Sequence, residues 1–284
     1  MNTTQQALAD TLRALHAPSD GRALVLPNAW DAASAALIAQ AGARVIATSS
    51  AGVAWSVGRP DGHGLTREEM VAAVGRIVDV VEVPVTADIE AGYGPGTEDV
   101  AATVREVIAA GAVGVNLEDS LAPGGPLHDV PAQAARLRAA RRAAEEAGLP
   151  GLWINARTDV FLFGTGAPGE QLEEVLSRGK AYADVGADSL FVPGLVDLDM
   201  VADLVRRSPL PVNVMAGPGA PPVSAFEAVG VRRVSVGAGP AQAAYGVVQR
   251  AAAELLGAGT YDALTDAADY GVVDSAVTTA RARR

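Results

Sequence analysis

The stretch Val83-Pro84-Val85-Thr86-Ala87-Asp88-Ile89-Glu90-Ala91-Gly92-Tyr93-Gly94 begins as an apolar run and ends in two carboxylates and a glycine-rich turn. The run suits a buried strand, in which side chains two residues apart point the same way. Asp88 and Glu90 are therefore expected on one face, about 7 Å apart along the chain. Two acids at the exit of a buried strand are costly to desolvate unless positive charge lies between them. A hard divalent cation is one sufficient reason for the pair. Solvent beyond the strand end is the other.

Outward from this stretch a phrase recurs: the end of an amphipathic run, a glycine, one or two small residues, then an apolar burst. It stands at Gly42, Gly111, Gly148, Gly186 and Gly230. Physically this is a helix ended by a left-handed glycine and followed at once by a strand. Three further bursts, at residues 23–27, 83–87 and 211–215, bring the number to eight. Helical patterns follow, among them 67–80, 98–110, 131–147, 170–185 and 241–256. Alternating strand and helix predicts a parallel sheet covered by helices, and eight repeats predict a closed (β/α)₈ TIM barrel of the α/β class. A doubly wound open sheet is the runner-up, but no Gly-x-Gly-x-x-Gly turn follows the first strand.

A helix over residues 3–15 is expected to pack outside the barrel. The barrel spans about residues 22–256, and 257–284 form a C-terminal helical extension with a short helical stretch at 261–268 and a loose tail. No linker divides the chain, so 1–284 reads as one domain.

Composition narrows the function. Of 284 residues 49% are apolar, 19% charged and 4% aromatic, so an Ala/Val/Leu core is available. A net charge of −11 argues against nucleic acid and anionic membranes as partners, since both need basic surface. An anionic substrate then needs a local device, such as a metal or one placed arginine. The chain has no cysteine, which excludes disulfides, thiolate metal sites and cysteine nucleophiles. Residues 1–10 are polar and no apolar run reaches bilayer length, so a soluble cytoplasmic protein is expected.

In such a barrel the chemistry sits at the C-terminal strand ends. The first exit offers Asp31, which reads as a helix N-cap. The second offers Ser49-Ser50-Ala51-Gly52, equally an ordinary turn or a set of backbone donors for a carboxylate. The glycine-rich loop 58–64 carries Asp61 and His63; such a loop can close over a ligand, and a lone loop histidine is more often solvated. The third exit gives Asp88 and Glu90, the fourth Asn116, Glu118 and Asp119, the fifth Asn155 and Arg157, the seventh Asn213. Together these residues point to a divalent-metal site that binds an oxyacid.

The chain resembles the isocitrate lyase/phosphoenolpyruvate mutase superfamily over roughly residues 24–256. The carriers are Ser49-Ser50-Ala51-Gly52, Gly58-Arg59-Pro60-Asp61, Asp88-Ile89-Glu90-Ala91-Gly92-Tyr93-Gly94, Leu117-Glu118-Asp119 and Asn155-Ala156-Arg157. The resemblance implies Mg²⁺ or Mn²⁺ held by Asp88 directly and by Asp61, Glu90 and Glu118, often through water. It implies a small 2-oxo or 2-hydroxy acid whose carboxylate rests on the Ser50, Ala51 and Gly52 backbone, with Asn213 and Arg157 as further contacts. It implies chemistry through a metal-stabilised enolate, with Arg157, Asp61 and Glu118 as the catalytic set. Members of that family commonly swap their last barrel helix between subunits and form tetramers, so a homo-oligomer, dimer or tetramer, is expected.

The departures from the family pattern bear on the substrate. Isocitrate and methylisocitrate lyases carry a Lys/Arg-x-Cys-Gly-His loop where this chain has residues 120–129 without cysteine, and a Glu where it has Gly194. Phosphonate-acting members carry an Asn and a His where it offers Gly125 and Pro193. The expected function is thus a Mg²⁺-dependent carbon–carbon lyase or decarboxylase on an oxaloacetate-like acid. Its alternatives are a phosphonopyruvate-type mutase or hydrolase, an oxaloacetate hydrolase, and a non-catalytic barrel that binds metal and oxyacid.

Overall fold

The computed structural model describes residues 3–17, 20–122, 124–164 and 166–282. Pro123 of the 120–129 loop and the last two residues of the tail lie outside them. Nine parallel strands run in the order β1 (Leu24–Leu26), β9 (Arg233–Ser235), β8 (Val212–Met215), β7 (Ser189–Val192), β6 (Trp153–Arg157), β5 (Gly114–Glu118), β4 (Val85–Asp88), β3 (Ile46–Thr48) and β2 (Asn28–Ala29). Only Pro27 separates β1 from β2, and proline has no N–H to give a ladder. One strand is thereby split into a half that pairs with β9 and a half that pairs with β3. Asn28 stitches the seam: its side chain donates to the Thr48 carbonyl and accepts from the Val236 N–H, both at 3.0 Å. The ring is the expected (β/α)₈ barrel.

The repeated phrase has the geometry it implies. Gly42, Gly111, Gly148, Gly186 and Gly230 all have φ between 79° and 101°, where a side chain is strained, and each ends a helix just before a strand. Helix starts follow the same local rules. Asp31 caps α2 (Ala32–Gln40) in a reciprocal box with Ser34, which settles its role as structural. Thr66 and Glu69 do the same for α4 (Arg67–Val78).

Strand alternation divides apolar from polar around the barrel wall. Ala87, Val115, Leu117, Ile154, Ala156, Leu190, Val192, Val212, Val214 and Val234 join the hydrophobic cluster shared with the helices. The alternate positions face inward and are largely polar: Thr86 and Asp88, Asn116 and Glu118, Asn155 and Arg157, Asn213, Arg233 and Ser235. A barrel of this kind is filled by side chains, not by solvent.

The floor is closed by α1 (Thr3–His16), which lies across the N-terminal strand ends instead of along the outer wall. Leu12 is fully buried, and its Cδ2 would stand 2.9 Å from a Cβ placed on Gly114, the first residue of β5. His16 stacks on Trp153, the first residue of β6, with ring centroids 3.9 Å apart. Burial first, and then Arg233, push this imidazole down to about 3, so it is neutral.

At the other end of the chain, α11 (Gly239–Gly257) buries only Ala241 and leaves Val248 at 63% and Leu256 at 87% exposure. Beyond it a 3₁₀ turn (Asp262–Leu264) replaces the longer helical stretch expected there. The tail then forms α12 (Tyr270–Ala282) instead of remaining loose, and Ala276 and Val277 pack with Ile46, Ile77 and Val85. Among the described residues no helix is long and apolar enough to cross a membrane. Leu12→Ala should cost about 2–5 kcal/mol, as for other buried leucines that leave a cavity. Urea unfolding of the two proteins measures it; a change within error would mean that α1 does not seal the floor.

Candidate active site

The mouth is built from the ends of β4, β5 and β6. Asp88 is the last residue of β4, Glu118 the last of β5 and Arg157 the last of β6. The Asp88 N–H donates to Thr48 Oγ1 at 2.8 Å, and its carboxylate accepts from the Ser50 hydroxyl at 3.1 Å and the Glu90 N–H at 3.2 Å. Strand β4 stops at Asp88, so the two-residue alternation does not extend to Glu90 as expected. Glu90 instead has φ of 48°, in the left-handed region, and reaches the site through a turn. Its carboxylate accepts the His63 N–H at 2.5 Å and the Tyr93 hydroxyl at 3.3 Å. The His63 ring lies 3.9 Å away, so the loop carrying Asp61 and His63 sits against Glu90.

Arg157 is the cation of this group. It donates to Glu118 at 2.8 Å and grips Asp159 with two parallel bonds of 2.6 and 3.0 Å. Asp159 is fully buried and also accepts from the Ser120 hydroxyl at 2.6 Å. Its own N–H donates to Asp119 at 3.0 Å, and Asp119 is held by Arg178 at 3.0 Å and Tyr182 at 2.9 Å. A line of charge-assisted bonds therefore runs from α8 (Pro168–Ala183) through two aspartates to the guanidinium.

Electrostatics follows from burial. Burial is the main force raising Asp88, Glu90 and Glu118 above the usual carboxylate range. Neighbouring acids add to it: Asp61 acts on Asp88 and Glu90, and Asp88 acts on Glu90 and Glu118. Arg157 opposes the rise for Asp88 and Glu118, and Glu90 is pushed up to about 7. Burial acts to lower Arg157, but Glu118, Asp159 and Asp88 outweigh it and keep the guanidinium charged.

The structure thus brings Asp88, Glu90, Glu118 and Arg157 together, with Asp61 on the exposed loop beside them. Ser49 caps the helix α3 (Ser50–Ser56) and takes the Gly52 N–H at 3.4 Å. Gly52 has a packing role as well, since a Cβ there would meet the Trp30 Cβ at 2.6 Å. Asn213 lies inside the barrel, fully buried, accepting from Asn155 at 3.0 Å and donating to Val214 and Arg233 carbonyls and to Ser235. It sits beneath the mouth instead of facing it. Among the described residues no three His, Asp or Glu side chains stand ready to hold an ion. Glu118 is spent on Arg157, and Glu90 on His63 and Tyr93.

Several members of the site were not singled out from sequence. Asp159 is spaced two residues from Arg157, the strand-end pattern that would have shown it. Arg233, fully buried, reaches from β9 to donate to Asn116 at 3.2 Å, while its Nε and Nη1 have no partner among the described residues. Beside the carboxylates, past His63 and Tyr93, lies a cavity of about 650 Å³ that Ser120, Leu121, His128 and Arg136 also line.

A family model described as phosphoenolpyruvate phosphomutase matches residues 12–256. A Burkholderia cenocepacia J2315 protein, provisionally described as a lyase/mutase, superposes with a TM-score of 0.88 at 36% identity over 95% of this chain and 96% of its own. An uncharacterized protein of Mycobacterium tuberculosis strain H37Rv is 36% identical over 78% of this chain and 80% of its own. The 2-methylisocitrate lyase of Salmonella typhimurium strain LT2 is 32% identical over 66% of this chain and 64% of its own.

The raised carboxylates make the metal-free fold pH-dependent. Folded Glu90 holds its proton up to about 7, against 4.5 for an ordinary glutamate, so the folded state binds the extra proton between those values. Stability must then fall as pH rises through that window. The melting temperature of the metal-free protein should drop from about pH 5 to about pH 8, and Glu90→Gln should flatten the drop. Equal slopes for the two proteins would contradict the assignment.

Proposed function

The chain belongs to the isocitrate lyase/phosphoenolpyruvate mutase superfamily, and on that footing we propose that it is a Mg²⁺- or Mn²⁺-dependent carbon–carbon lyase or decarboxylase. Its substrate is a small 2-oxo or 2-hydroxy dicarboxylic acid of the oxaloacetate type. One observation carries the reading. Asp88, Glu90 and Glu118 are buried at one strand-end mouth, where burial raises the pKa of all three, Asp88 further raises Glu90 and Glu118, and Arg157 opposes the rise at Asp88 and Glu118.

The donor chemistry suits a hard divalent ion, although among the described residues the carboxylates are not gathered around one point while Glu118 binds Arg157 and Glu90 binds His63 and Tyr93. Carboxylate oxygens are its preferred ligands, and buried negative charge in excess of positive charge is what it would neutralise. Asp88 would hold it directly, with Glu90, Glu118 and Asp61 completing the set, in part through water. Bound there, the ion supplies Lewis-acid stabilisation of negative charge developing on the substrate's 2-oxo oxygen.

The chain's own residues do the rest. Arg157 is planar and permanently charged, and Asp159 and Glu118 fix its orientation before substrate arrives, so it can steady an oxyanion without reorganising. The backbone donors of Ser50 and Ala51, at the first turn of α3, receive the substrate carboxylate, with Ser50 also tied to Asp88. The 58–64 loop, latched to Glu90 through the His63 N–H, covers one side of the site against water. The 120–129 loop has neither the cysteine of the tricarboxylate lyases nor an asparagine of the phosphonate enzymes, which favours a small diacid over either substrate class.

Like its family, the chain is proposed to be a homo-oligomer. The outer face of β1 leaves Val25 at 42% exposure, and α11 offers an uncovered apolar stripe, so each could cover the other between subunits. Light scattering should give a dimer or tetramer; a monomer at micromolar concentration would overturn this part.

Oxaloacetate, branched 2-hydroxy diacids and phosphonopyruvate incubated with the protein and Mg²⁺ should separate the readings. Pyruvate or another 2-oxo product from a carbon diacid, lost on adding EDTA and in Asp88→Ala by at least about a hundredfold, is the expected result. Phosphate release from phosphonopyruvate alone would favour the carbon–phosphorus alternative. Metal-stabilised melting with no turnover of any of these acids would favour a binding barrel.

A further inference from the structure

Arg136 projects from the middle of α6 (Val130–Glu146) and is 2% exposed. No carboxylate forms a salt bridge with it among the described residues; it is enclosed by backbone carbonyls. Its Nη1 donates to the Pro95 carbonyl at 3.0 Å and to those of Gly94 and Gly96 at 3.5 Å. Its Nη2 donates to the Ala91 carbonyl and to that of Gly94 at 3.4 Å. The Thr103 hydroxyl donates to the Gly92 carbonyl at 2.9 Å. Asp99, the acid whose charge bears on Arg136, is itself engaged by the Gly96 N–H at 2.8 Å.

A guanidinium placed this way is expensive to bury, so the turn it holds must require it. That turn contains Glu90 at φ 48° and Tyr93 at φ 55°, two side-chain-bearing residues in the left-handed region, around Gly92 at 88°. Such a residue is strained and persists only where the surroundings over-determine it. The same two residues carry the groups that meet in the site, the Glu90 carboxylate and the Tyr93 hydroxyl. The turn directs its carbonyls toward one point, and a planar cation with two nitrogen arms fits that point; a lysine has only one centre to offer.

We propose that Arg136 is a positioning residue, a fixed cation inside a carbonyl cage that holds Glu90 and Tyr93 in the conformations the mouth needs. This rests on the reading of Glu90 as a member of the metal-binding set. Arg136 lines the cavity beside the carboxylates but donates its hydrogen bonds to backbone carbonyls of the 91–96 turn, and it acts through that turn.

The test compares wild type, Arg136→Ala and Arg136→Lys by hydrogen exchange without metal and by Mn²⁺ titration, each with and without millimolar guanidinium chloride against matched NaCl. In Arg136→Ala, exchange should quicken in peptides covering 90–96 while β5 and β6 keep their protection. Mn²⁺ affinity should fall about tenfold or more, as when partners behind a ligand are lost. Guanidinium, but not NaCl, should restore both, and Arg136→Lys should lie between. Unchanged exchange at 90–96, or a loss of protection spread over the whole barrel that guanidinium does not reverse, overturns the proposal. A wild-type protein that binds no Mn²⁺ overturns the metal reading instead, and the exchange comparison still decides the role of Arg136.

Discussion

The structure turns on a shortage of buried positive charge at the barrel mouth. Asp88, Glu90, Glu118 and Asp159 are buried there, and among the described residues Arg157 is the guanidinium that bonds to them, through Glu118 and Asp159. Burial makes Asp88, Glu90 and Glu118 resist ionising, and Glu118 and Asp159 hold the guanidinium tightly. Everything nearby answers that constraint. Backbone and hydroxyl donors from Ser50, His63, Tyr93 and Ser120 are aimed at carboxylate oxygens. The Arg178–Asp119 pair then fixes the backbone from which Asp159 projects. Such a site is poised for a ligand that brings positive charge of its own.

Below the mouth the barrel is filled by amides and not by aliphatic side chains. Asn155 bridges Asn116 and Asn213 at 2.8 and 3.0 Å, and Arg233 reaches across from β9. Burial lowers Arg233 to about 9, with Asp88 acting in the opposite direction. A polar layer of this kind fixes register strand by strand, because a slip would leave each amide without a partner. The acids above it therefore stand on a rigid base, and α1 seals that base from below.

Much of this was legible in the residue order, and for identifiable reasons. The glycine that ends a helix and the apolar burst after it are local devices, so their repetition predicted the barrel without any long-range information. Asp88, Glu118 and Arg157 were legible because each stands at a strand exit. Glu90 stands near Asp88 but not on the alternating geometry expected, since it sits in a left-handed turn whose contacts with Arg136 and Thr103 come from far along the chain. Asp159 lies beyond the end of β6 and Arg233 at the start of β9, so neither is a strand-end residue of the kind that made Asp88, Glu118 and Arg157 legible. The C-terminal extension is helical as expected, but its last part is not loose: α12 forms where α2 and its neighbours offer an apolar surface, a partner that composition alone does not reveal.

The mouth carboxylates are proposed to form a divalent-cation site. Crystals grown with Mn²⁺ and measured for anomalous scattering test it most directly. An anomalous peak is expected in direct contact with an Asp88 carboxylate oxygen, with Glu90 and Glu118 nearby or linked by water, and no such peak in Asp88→Ala. A mouth without anomalous density at saturating Mn²⁺, with Arg157 still bound to Glu118 and Asp159, would contradict it.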